Sequence, residues 1–186
     1  MHRFARIAVA AAAALAMTTV SAPAQRLSIS RWGQVWGTWV HQVQMGPGMK
    51  MPALITLNID GTVTGAPGLM FGGVPDATVT DTPVFGVWQR TGWQNISSTS
   101  LLMVFDRTSG VLTGFRRSRA SLDFSDDFNS YNGTEFMEHL ACASPVTCPD
   151  PLDPKAAWEP VTGMPPTGFA VSGTRLEFVK SGPLKP

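Results

Sequence analysis

The chain has 186 residues, with 14 Lys plus Arg against 13 Asp plus Glu, and 44% hydrophobic, 9% aromatic and 15% charged residues. Near-balance of charge offers nucleic acid no handhold. A charged fraction well under the roughly 25% of an average soluble chain excludes a charge-rich disordered chain and a coiled coil, leaving one domain's worth of turn-rich globule.

Residues 1–24 place Arg3 and Arg6 ahead of an apolar run over 7–17, followed by Ala22-Pro23-Ala24, the three-part layout of a bacterial secretory signal peptide. The run is shorter than the roughly 20 residues that cross a bilayer as a helix, and the small residues suit cleavage before Gln25. Removal of 1–24 leaves a near-neutral single domain over 25–186 with no further long apolar run. The expectation is a soluble periplasmic or secreted protein with no integral membrane segment.

Past Gln25 the apolar residues fall in short Val-, Ile-, Thr-, Phe- and Trp-rich stretches separated by Gly, Pro, Asn and Asp, the rhythm of an all-β domain. Strands are expected over 35–45 and 53–60, with Asp60-Gly61 as a hairpin dipeptide. Gly65-Ala66-Pro67-Gly68 and Phe71-Gly72-Gly73 read as turn chemistry, with a short strand possible over 69–72. Further strands follow over 84–94, 97–106, 111–124, 131–142 and 171–179, with Ser109-Gly110 as a tight connection. Only 133–143 carries a fragment of helical periodicity. Pro145, Pro149, Pro151, Pro154, Pro160, Pro165 and Pro166 make 144–168 a long loop before the last strand. The predicted fold is a single up-and-down antiparallel β-barrel of about eight strands, since closure removes exposed edges and encloses room for one small ligand.

The first strand carries Gly37-Thr38-Trp39 and the last carries Thr174-Arg175, and in this the chain resembles the calycin superfamily of lipocalin-like barrels. The runs ALITLNIDGT and FGVWQRTG are similar to those of secreted bacterial calycin-like proteins of undefined function. The resemblance implies that Trp39 lies across the barrel floor and that Arg175 packs against it. It implies a fold and no activity.

With Trp39 inward, period two puts Gly37, His41, Val43 and Met45 on the same face. An imidazole there serves either as a general base or ligand contact, or as a neutral core histidine satisfied by a neighbouring strand. Tyr131, Glu135, Met137 and His139 share one face of the sixth strand, Phe136, Glu138 and Leu140 the other. If the first face is inward, Glu135 and His139 join His41 in an acid–base set; if outward, they are solvated. The same choice separates Arg117 and Arg119 from Arg116. Met45, Met49 and Met51 around Gly46-Pro47-Gly48 read as an adaptable apolar lip or as ordinary packing.

His139, Cys142 and Cys148 fall within ten residues but match no paired metal-binding spacing. An even cysteine count in an exported chain favours a Cys142–Cys148 disulfide over a metal site. No Gly-x-Ser-x-Gly, His-Glu-x-x-His or phosphate loop occurs, and no cofactor is implied. The expected function is binding of a small apolar or amphipathic molecule, with contacts from Trp39, His41, Trp88, Tyr131 and Arg117. The alternative is a cofactor-free isomerase, cyclase or lyase using His41, Glu135 and His139.

Overall fold

The computed structural model describes residues 34–68, 78–144 and 146–177, so the expected signal peptide and the possible strand over 69–72 lie outside the described residues. The strands are β1 (Gly37–Gly46), β2 (Met49–Leu57), β3 (Thr62–Pro67), β4 (Val79–Asp81), β5 (Val84–Arg90), β6 (Asn95–Asp106), β7 (Leu112–Phe124), β8 (Ser130–Ala141), β9 (Glu159–Pro160) and β10 (Phe169–Arg175). Neighbours pair antiparallel in the order β10-β1-β2-β3-β5-β6-β7-β8, and β8 pairs with β10 again. Eight strands thus form a closed up-and-down barrel, with short β4 set on β6 and β9 on β8. No helix among the described residues is long and apolar enough to cross a membrane.

Two expectations about local structure are corrected. Residues 65–67 are not a turn but half of β3, paired with β2 from Ala53↔Pro67 to Leu57↔Val63. Gly65 is there because a Cβ would sit 2.6 Å from the Leu54 carbonyl oxygen, a crossing too close for any side chain. The fragment over 133–143 is strand, because β8 has partners along both edges and those ladders outweigh a weak helical pattern.

Alternation along β1 works as expected. Trp39, His41 and Val43 are buried while their neighbours are half-exposed. Trp39 is 0% exposed and closes the floor, packed at 5.2 Å from both Phe124 and Tyr131. Its Nε1–H donates to the Val35 carbonyl at 3.3 Å. The Arg175 guanidinium lies 4.6 Å from the indole centroid and donates to the carbonyls of Trp36 (2.8 Å) and Phe128 (3.1 Å), tying the first and last strands to the β7–β8 connection. Such a cation–π contact contributes about 0.5–2 kcal/mol. Gly37, at φ 139°, leaves room for that guanidinium: a Cβ would stand 3.0 Å from Nη1.

The proline-rich segment is bound to the barrel. Cys142 and Cys148 form a disulfide, a small loop whose chain-entropy contribution is about 2 kcal/mol. Trp158 lies under the Arg117 guanidinium at 4.3 Å, Glu159 and Pro160 pair with β8, and Val161 N–H donates to the Met137 carbonyl. Residues 161–168 then leave the sheet and return at Phe169, and Met164 turns back to meet the Met137 N–H with its sulfur at 3.2 Å. The excursion packs Met164 against the core cluster.

Candidate functional site

Above the floor, an interior cavity of about 90 Å³ is lined by residues of β1 to β8. Its walls are mainly apolar, with Val43, Met51, Leu57, Val63, Leu122 and Met137 among them, because period two sends one face of every strand inward. Two polar groups interrupt them.

The first is a buried chain of four side chains. His41 Nδ1 lies 2.7 Å from the Tyr131 hydroxyl, and His41 Nε2 lies 3.0 Å from Glu135 Oε2. Ser118 donates its hydroxyl proton to Glu135 Oε1. His41 is 3% exposed, Tyr131 2% and Glu135 7%. Burial first, and the negative charge of Glu135 second, push the Tyr131 phenol well above its ordinary range, so it stays protonated beside Nδ1. Both ring nitrogens of His41 are thus engaged, Nδ1 by the phenol and Nε2 by the carboxylate, with the direction of each bond set by the tautomer.

The second is an ion pair. Arg116 Nη1 reaches Asp81 Oδ2 at 2.9 Å and Oδ1 at 3.1 Å, with the Asp81 side chain almost wholly enclosed. Burial raises the Asp81 pKa, and the Arg116 charge offsets part of that. Ser98 and Ser100 add hydroxyl groups to the β6 wall.

The structure sorts the expected site residues. His41 and Glu135 meet in the cavity wall, and Tyr131 supports His41 from below. His139 shares their face but stands four residues beyond Glu135, about 13 Å along the strand, and does not join the set. Arg117 lines the cavity together with Arg116, and its guanidinium holds Glu138 at 2.8 Å and lies over Trp158, while Arg116 holds Asp81. Trp39 and Trp88 lie outside the lining of this cavity. Trp39 is consumed by the floor, and Trp88 Nε1–H donates to the Asn58 carbonyl at the β2–β3 turn.

Ser118 and Asp81 were not singled out by sequence. Ser118 follows from the inward parity of Ala120, Leu122 and Phe124 on β7, once that face is known. Asp81 had no such signal.

Burial, and then the neighbouring Arg116, hold the His139 pKa below its ordinary 6.5, while Glu159 pulls the other way. The unfolded chain therefore takes up a proton there more readily than the native one. This contribution to stability is complete above the unfolded value and is lost as pH falls through it. Urea midpoints measured between about pH 7.5 and about pH 5.5 should fall more steeply for the parent than for His139→Asn. Equal slopes would refute the assignment.

Fold and site together define a closed eight-stranded barrel, consistent with a calycin-like fold, whose interior joins an apolar void to a buried carboxylate–imidazole–phenol chain. Compared with known proteins, the chain matches no family model, no curated protein and no solved structure.

Proposed function

We propose that this is an exported barrel that holds a small apolar or amphipathic molecule in its interior. The observation carrying the reading is the cavity of about 90 Å³ above a floor otherwise packed solid. At roughly 30 Å³ per water, the space suits a compact molecule or the end group of a longer one. Membership of the calycin superfamily is part of the same reading, supported by the Trp39–Arg175 contact. Export is supported by the layout of residues 1–24 and by a disulfide suited to an oxidising compartment.

The test combines native mass spectrometry of the purified protein with a thermal-shift panel of small apolar and amphipathic molecules. A bound mass or a raised Tm is expected, and both should vanish in Ala120→Leu, which fills the lining. If the panel is silent, nothing co-purifies and Ala120→Leu is merely more stable, the carrier reading fails.

One observation favours a second reading, a cofactor-free proton-transfer enzyme such as an isomerase, cyclase or lyase. His41 and Glu135 are hydrogen-bonded to each other within the cavity wall, where a substrate would touch both. Turnover of a candidate substrate by His41→Ala and Glu135→Ala at the parental rate would dispose of it.

A further inference from the structure

The chemistry of the cavity wall narrows the class of molecule it receives. Every ionisable side chain of the lining already has a partner in the protein. Arg116 holds Asp81 at 2.9 and 3.1 Å, Arg117 holds Glu138 at 2.8 Å, and His41 and Glu135 hold each other at 3.0 Å, whichever of them carries the proton. A charged ligand group would have to compete with one of these pairs or stand in an apolar enclosure without a counterion, and a buried unpaired charge is costly.

Two hydroxyls are differently placed. Period two along β6 sends Ile96, Ser98, Ser100, Leu102 and Val104 inward; Ile96 and Val104 are 1% and 2% exposed, and the two serines between them line the cavity. Ser100 stands in register between Gly86 of β5 and Ser118 of β7. Gly86 has no side chain to cover it, since a Cβ there would lie 2.7 Å from that of Ser100, and Ser118 turns its own hydroxyl to Glu135. Among the described residues neither Ser98 nor Ser100 has a side-chain hydrogen-bond partner. Each hydroxyl keeps one donor and two acceptor positions for what enters. Four strands round the closed barrel from β6 and β7 stand β1 and β2, where Val43, Met51, Ile55 and Leu57 offer only apolar surface. The enclosure is two-sided, hydrogen-bonding on β6 and apolar across from it.

We propose that the molecule held in the barrel is uncharged, with an alcohol or carbonyl oxygen seated on Ser98 and Ser100 and an alkyl body against the apolar side chains of β1 and β2. This rests on the cavity being a binding site, and the experiment separates the two claims. Five probes of similar size, 1-butanol, butanone, 1-chlorobutane, 1-butylammonium and butyrate, are titrated calorimetrically into the purified protein at neutral pH and matched ionic strength. Butanol or butanone should bind at least about tenfold more tightly than butylammonium and butyrate, because only the ions must shed hydration without gaining a counterion. The double variant Ser98→Ala, Ser100→Ala should weaken butanol or butanone about fivefold and leave chlorobutane within about twofold. A loss confined to butanol assigns the seat to a hydroxyl, one confined to butanone to a carbonyl, and each bears the proposal out.

Butylammonium or butyrate binding as tightly as the better oxygen probe overturns the proposal, as does a double variant that binds both oxygen probes like the parent. Chlorobutane bound in either case leaves the cavity a binding site. No heat from butanol and butanone overturns the proposal too, and the carrier reading falls only if the wider panel is silent as well. Should the double variant fail to fold, Ser98→Ala and Ser100→Ala taken singly carry the same comparison, and the ranking of the five probes on the parent protein stands by itself.

Discussion

Trp39→Ala should lower the unfolding free energy by about 3–5 kcal/mol, the range for emptying a large buried aromatic site. The indole is fully enclosed, touches Phe124 and Tyr131 edge-on or tilted at 5.2 Å, and has Arg175 stacked on its other side. Its removal also strands Arg175, which crosses from the last strand to carbonyls of Trp36 and Phe128. Little collapse is available, since the surrounding strands are held in register around a closed ladder. Trp39→Phe should recover more than half of the loss, because it restores the ring contacts and omits only the Nε1–H bond and part of the stacking. Urea unfolding of the two variants reads the difference directly. A loss for Trp39→Ala below about 1 kcal/mol would mean that the floor is not a packed plug.

Gly173→Ala carries the second large effect. A Cβ at this position of β10 would fall within the Tyr131 ring, 2.6 Å from its hydroxyl oxygen. Gly173 is paired with both His41 and Tyr131, so the phenol lies directly over the bare backbone that joins them. Nothing flexible can yield: Tyr131 is also wedged against Trp39 and Phe124. Overpacking typically costs about 1–3 kcal/mol, and forcing the phenol off His41 adds a buried imidazole nitrogen without its hydrogen-bond partner, about 1–3 kcal/mol more. The two costs share one cause, which a double-mutant cycle exposes. In a Tyr131→Ala background the same Gly173→Ala change should cost under about 1 kcal/mol. If the penalty persisted undiminished, the glycine would be answering to some other constraint.

The parts of this molecule readable from sequence are those in which one strand answers to one buried face. On β1, Trp39, His41 and Val43 alternate with half-exposed neighbours, and the inward set follows from period two. Turns announced themselves through Gly61 and Gly110, both at positive φ, and two cysteines six positions apart paired as an oxidising compartment would have them. Where both faces of a strand are covered the pattern blurs. On β8, Leu140 points away from Glu135's face yet is only 2% exposed, and Trp158 packs on Arg117 close by, so Arg116 and Arg117 could not be told apart. β3 was hidden for another reason: Gly65 looks like a turn residue until the Leu54 carbonyl is seen crossing it.

By itself the sequence determined the strand rhythm, the turns at Gly61 and Gly110, the disulfide and, with Trp39 inward, the buried face of the first strand, all properties of neighbours along the chain. Only the tertiary structure decided that His41 meets Glu135, 94 residues away, and that Ser118 and Tyr131 complete the chain. Those contacts depend on β10 returning to lie between β1 and β8, with Gly173 leaving space for the phenol. The register of that closure is set by the packing of all eight strands around Trp39 at once, a collective condition that no local stretch of residues contains.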